Sequence, residues 1–323
     1  RSDPDVETDP YAAIGIRIGS FLLFPELSSA VIHADNVFQT STDRKSDTIG
    51  EIIPAARLVS DWSKHSLEAS VVARYSYHQE FATEDDSDLD ARAKARIDVL
   101  RDTDIEFDAG FLRTQQSRGS ADFPTGADAR PTIETVTGAV TLDQRFNRLF
   151  ARLRGEVAEQ DEQGFGSTGD EDYRREAASA RLGYELSPAL SIFGEGARWR
   201  RAHAGPAGDG FFRDAEGQEF RIGVLLDDEP TWTGQASIGH AEETPDETSL
   251  ASIDGIVFDA AVIWRPTALT TLTFTAAGDI EPTSQAFSGG ALSWSHGVEI
   301  RHEFRRYLAL LAGVGLTTKD NEG

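Results

Sequence analysis

Arg92, Lys94 and Arg96 stand at alternate positions of one segment, and Glu106 and Asp108 at alternate positions of the next. Alternate residues of an extended chain share a face. Antiparallel pairing of the two segments would therefore set cations against carboxylates in a ladder. Arg152, Arg154 and Glu156 form a second group of this kind, and Glu299, Arg301 and Glu303 a third. Glu68, Arg74 and Asp279 hold the same parity in their own segments. Two chemistries fit these residues. Charged side chains lining a pore can select solutes by charge. Mixed charges can instead pair across strands and keep a water-filled interior solvated, and this plainer reading is the favoured one. Both readings make Glu68, Arg74, Arg92, Lys94, Arg96, Glu106, Asp108, Arg152, Arg154, Glu156, Asp279, Glu299 and Arg301 the lining of a wet lumen.

No other constellation carries chemistry. The seven histidines (His33, His65, His78, His203, His240, His296 and His302) fall in no metal-ligand spacing. No Ser/His/Asp set stands out by spacing, so no catalytic residue, metal or cofactor is assigned. The chain has no cysteine, which removes disulfides and thiolate metal sites. Three acidic tracts, Glu84-Asp85-Asp86, Asp170-Glu171-Asp172 and Glu242-Glu243, fall between strand-like segments. They read as a solvated rim, or less readily as divalent-cation sites bridging to lipopolysaccharide phosphates; their spacing matches no calcium loop.

The elements that position these residues are β-strands. In Leu67–His78, Leu67, Ala69, Val71, Ala73, Tyr75 and Tyr77 alternate with Glu68, Ser70, Arg74, Ser76 and His78, the period of a strand with one apolar face. The same unit recurs at Gly19–Phe38, Thr48–Ser60, Ser66–Gln79, Asp88–Leu100, Ile105–Gln115, Thr132–Phe146, Leu149–Gln160, Tyr173–Leu186, Leu190–Arg200, Gln218–Leu226, Thr231–His240, Asp254–Arg265, Thr270–Ile280, Ala291–Phe304 and Tyr307–Thr318. Leu190–Arg200 is ambiguous, because Phe193 and Trp199 share parity with Glu195. Pro25 predicts that part of the first segment is bent or unpaired.

The connections alternate in length. Asp61–His65, Arg101–Asp104, Phe146–Arg148, Ser187–Ala189, Asp227–Pro230, Pro266–Leu269 and Arg305–Arg306 are short; those between them are longer and rich in Gly and acid. Short and long connections in alternation, with one charged face per strand, are the signature of a transmembrane up-and-down β-barrel. Short turns are then periplasmic and long loops extracellular. Residues 1–18 read as a periplasmic leader and 19–323 as the barrel. Single-chain bacterial barrels have an even strand count, so about fifteen segments predict a sixteen-stranded barrel whose last strand follows the residues given.

Trp62, Trp232, Trp264 and Tyr307 flank short turns, the place of an aromatic girdle. Trp199, Trp294, Tyr75 and Tyr77 fall toward the opposite strand ends, and Trp294 joins the interface set. No run of 18 or more apolar residues exists, which excludes a helical span. A net charge of −24 excludes nucleic acid as a partner. The location implied is the bacterial outer membrane, with its lipids and lipopolysaccharide as surroundings.

The opening Asp9-Pro10-Tyr11-Ala12-Ala13-Ile14-Gly15-Ile16-Arg17-Ile18-Gly19-Ser20-Phe21 and the later Asp35-Asn36-Val37-Phe38 resemble the alphaproteobacterial outer-membrane β-barrel porin family, also called β-barrel porin type 2. The resemblance implies a porin-like barrel without catalytic motif. It further implies a role in exopolysaccharide export, with a periplasmic polysaccharide-export protein as partner. A pore for secreted polysaccharide or small solutes is the leading expectation. A non-conducting scaffold barrel that anchors a surface assembly is the alternative, and a barrel enzyme the weakest of the three.

Overall fold

The computed structural model describes residues 13–119, 123, 130–164, 172–206, 210–228, 230–281, 291–305 and 308–321. It is one antiparallel sheet of sixteen strands in chain order. The strands are β1 (Ile16–Ile18), β2 (Phe21–Ala34), β3 (Asp47–Ser60), β4 (Ser66–His78), β5 (Asp86–Leu100), β6 (Thr103–Gln115), β7 (Thr132–Phe146), β8 (Leu149–Gln163), β9 (Tyr173–Ser187), β10 (Leu190–His203), β11 (Ala215–Asp228), β12 (Trp232–Pro245), β13 (Ile253–Thr267), β14 (Thr270–Glu281), β15 (Ala291–Arg305) and β16 (Leu308–Asn321).

Fifteen of these match the segments that the alternation picks out. The additional one is β1, three residues long, at the end of the stretch read as a leader. Gly19 makes the two-residue β1–β2 turn in the left-handed region (φ 61°), where glycine carries no Cβ penalty. Asn147 likewise takes a positive φ between β7 and β8 (φ 58°), a conformation asparagine tolerates better than most residues. Among the described residues the sheet is not closed: β1 pairs only with β2, and β16 only with β15.

Pro25 does not interrupt β2. It stands in register with Ala56 of β3. β1 has ended by that point, its last pair being Ile16↔Leu23, so Pro25 lies on an edge where a missing N–H is tolerated.

Register fixes the two faces. Directly opposed residues of an antiparallel pair point to the same side. One row runs Glu68–Lys94–Asp108–Ala139–Glu156–Ala177–Trp199–Gly217–Glu243–Ile253 across β4 to β13. The neighbouring row on the other face runs Ala69–Ala93–Ala109–Gly138–Val157. Most ion pairs and most of the few buried side chains gather on the first face; the second carries a few pairs, such as Arg174–Glu159 and Arg200–Glu216, toward the long-loop ends. The second leaves Leu182 at 70%, Phe220 at 63% and Val314 at 71% exposure. In water such an apolar belt would forfeit about 25 cal/mol for each Å² left wet. In a bilayer it is the solvated surface. Among the described residues no helix is long and apolar enough to cross a membrane.

Candidate functional site: the charged inner face

The charged face is concave, because its side chains meet across strands that are not neighbours. Arg154 of β8 reaches Asp108 of β6 at 3.1 Å. Arg201 of β10 bonds Glu243 of β12, and Trp199 Nε1 donates to the same carboxylate at 2.7 Å. Arg221 of β11 reaches Asp279 of β14 at 2.6 Å, passing over two strands. Such reach needs a sheet curled toward that side.

The lining residues expected from sequence all carry the register parity of this face. Two sets meet one another: Lys94 with Glu106 at 2.9 Å, and Arg154 with both Asp108 and Glu156, the latter at 2.9 Å. Most others pair with residues the sequence reading did not single out. Arg92 turns to Asp90 on its own strand at 2.7 Å. Arg96 lies between Asp98 (3.1 Å) and Asp104 (3.3 Å). Arg152 meets Asp143 at 2.8 Å, Arg74 meets Asp88 at 3.7 Å, and Glu68 meets Arg57 at 3.3 Å. Arg301 bonds Glu303 at 2.9 Å. Glu299 stands in register between Thr273 and Gly313 on the same face.

The face has two unlike halves. On β4 to β8 the pairs are partly solvent-exposed, and a cavity of about 530 Å³ opens among Arg96, Asp104, Glu106, Arg152 and Arg181 near the short turns. On β10 to β13 the wall is covered. Arg201 and Glu243 are buried, as are Trp199, Ala241, Val257 and Ile253. Arg181 lies over the Phe193 ring at 4.0 Å and bonds Glu195. These aromatic and arginine residues were missed because aromatics on the charged face break the alternation of Leu190–Arg200. Trp199 accordingly corrects the girdle reading: it faces inward, bonded to Glu243, and does not lie at a lipid interface.

Trp232 and Trp264 lie on the apolar face, in register and stacked, beside the short turns. Trp62 packs edge-on against Phe21 at 5.4 Å and donates to Ser20 at 3.1 Å, also at a short turn. Trp294 lies opposite Gly278, toward the long-loop end. Tyr307 lies outside the described residues.

The acidic tract Glu84-Asp85-Asp86 is not a free rim. Glu84 is buried in a 3₁₀ turn (Ala82–Glu84) and accepts two bonds from Arg118. Asp86 meets Arg130 at 2.6 Å, and Asp85 accepts the His78 N–H. Asp47 accepts backbone N–H groups of Thr48, Glu80 and Phe81. These carboxylates fasten long loops to the barrel end. Glu242 and Glu243 diverge, Glu243 pointing inward and Glu242 outward. Most of Asp170-Glu171-Asp172 lies outside the described residues. Among the described residues no three His, Cys, Asp or Glu side chains converge as metal ligands.

The sequence profile described as Putative beta-barrel porin 2 matches residues 9–323. Among curated proteins no sequence matches the chain. Similar solved structures include siderophore and ferric-catecholate receptors. The siderophore receptor PiuA from Acinetobacter baumannii is 11% identical, with 93% of this chain and 57% of that one covered and a TM-score of 0.40. The ferric-catecholate import receptor Fiu from E. coli K12 is 8% identical, with 94% and 62% covered and a TM-score of 0.49. The chain spans little more than half the length of these receptors.

Proposed function

The chain belongs to the Putative beta-barrel porin 2 family and is an outer-membrane β-barrel protein, and from that premise we propose that it is a water-filled pore passing hydrophilic solutes, secreted exopolysaccharide among them. The observation that supports this reading most is the ion-pair lattice of the inner face. Arg, Lys, Asp and Glu line consecutive strands β4 to β8 and remain partly exposed. Charges in that state need water beside them, since burial of unpaired charge is costly. A sixteen-stranded barrel is wide enough to hold an aqueous channel.

A polysaccharide cargo fits a lumen rich in hydrogen-bonding groups, and a periplasmic polysaccharide-export protein at the short-turn mouth is the matching partner. Lipopolysaccharide surrounds the apolar belt. In this reading the inner face orients and screens the solute and performs no catalysis. The covered wall of β10 to β13 favours a second reading, a non-conducting scaffold barrel.

Planar-bilayer recording separates the two. A pore gives discrete conductance steps, with cations preferred at low salt because the chain carries −24 net charge. Screening weakens that preference as the Debye length shrinks to about 3 Å at 1 M salt. A correctly folded barrel that stays silent supports the scaffold.

A further inference from the structure

Above Gly278 the strand β14 leaves β13. Their ladder ends at the pair Phe258↔Gly278, yet β13 runs on to Ile253 alongside β12, and β14 stays paired with β15 up to Glu281↔Ala291. The upper ends of β14 and β15 do not continue outward. Ile280 packs against the buried cluster of Trp199, Ala241 and Val257, which belongs to the inner face. Leu292, its register partner, is buried over Gly255, so close that a Cβ there would meet its Cδ1 at 2.8 Å. Glycine at 255 permits that approach. By parity Ile280 and Leu292 belong to the lipid-facing rows. Instead they sit on the inner wall, where they shield apolar surface from lumen water. Asp279, next in sequence to Ile280, closes the arrangement with its 2.6 Å bridge to Arg221, which Glu219 also holds.

We propose that the upper ends of β14 and β15 form a constriction inside the pore, seated on Trp199, Ala241 and Val257 and fastened by the Arg221–Asp279 bridge. Releasing the bridge widens the passage. This rests on the pore reading given above. The Asp279 side chain is half exposed, so salt in the lumen screens the fastening. The apolar seat does not weaken with salt.

The absence of native cysteine makes the test clean. Ile280→Cys places a single thiol at the seat. Each variant is checked for β-sheet circular dichroism in lipid. Two readouts are taken: the labelling rate of the Ile280→Cys thiol by a polar maleimide, and unit conductance in planar bilayers. Adding Asp279→Asn or Arg221→Gln should speed labelling about fivefold, the most an ion pair with one half-exposed partner supports, and should reveal a larger conductance state. Unchanged labelling overturns the fastening. Faster labelling with unchanged conductance overturns the constriction and leaves the pore reading intact. Silence in every folded variant, released ones included, defeats the pore reading and the constriction with it.

Discussion

Trp232 and Trp264 face each other across β12 and β13 with ring planes 9° apart and centroids 5.1 Å apart. They are register partners on the apolar face, one residue row above the short turns. An indole suits that level of a bilayer, with its ring in the acyl boundary and its N–H toward headgroups. The stacking should contribute about 0.5–1.5 kcal/mol beyond the area each ring covers. A double-mutant cycle with Trp232→Ala and Trp264→Ala, read by urea unfolding in vesicles, should return a coupling of that size. Zero coupling would mean the two rings act independently.

The two faces respond oppositely to charge. Ala93 and Ala276 belong to apolar rows, opposite Ala109 and Ala260 respectively, whereas Lys94 and Thr275 are their inward neighbours. Arginine at 93 or 276 should cost about 2–4 kcal/mol if the site lies near midplane, and arginine at 94 or 275 almost nothing. Folding free energy in lipid decides the matter. Equal penalties at both parities would reverse or blur the assignment of faces.

Alternation made most of this barrel legible. Leu67–His78 or Thr270–Ile280 can be read directly as half-wet strands because backbone pleat alone sets the period. Turn positions followed from the breaks. What stayed hidden depends on contacts between distant strands. Trp199 looks like an interface aromatic until Glu243, two strands away, supplies its hydrogen-bond acceptor. Arg221 gives no local sign of Asp279. The pairing of Glu84 with Arg118 turns an acidic tract from a surface rim into a buried fastening, which spacing could not show. β1 escaped notice because three residues are too few to display a period.

Among the described ion pairs of the inner face Arg201–Glu243 is the most deeply buried, at 3% and 1% side-chain exposure. Removing one partner strands a charge away from water. Arg201→Met should therefore destabilise the barrel by about 3–5 kcal/mol. Arg201→Met with Glu243→Leu removes both charges and should recover part of that loss. It still leaves the Trp199 N–H without its acceptor, at about 1–3 kcal/mol. Urea unfolding in phospholipid vesicles gives both numbers. A double variant as unstable as the single one would show that shape, and not charge, governs this wall.

Arg118 joins the long loop after β6 to the 3₁₀ turn after β4. It bonds Glu84 through two nitrogens and lies over the Phe38 ring at 5.2 Å. If this arginine neutralises Glu84, a divalent cation has no role at the tract. Excess EDTA, or added magnesium, should then leave proteolysis at the Ala82–Glu84 turn unchanged. Arg118→Ala should make the turn after β4 susceptible to proteases, because Glu84 loses its cation and Phe38 its cover. Arg118→Lys should restore only part of the protection, since an ammonium cannot make the two-nitrogen bond. A protease pattern sensitive to EDTA in the unaltered protein would place a cation at Glu84-Asp85-Asp86 after all, and would return those carboxylates to a metal-bridged contact with lipopolysaccharide phosphates.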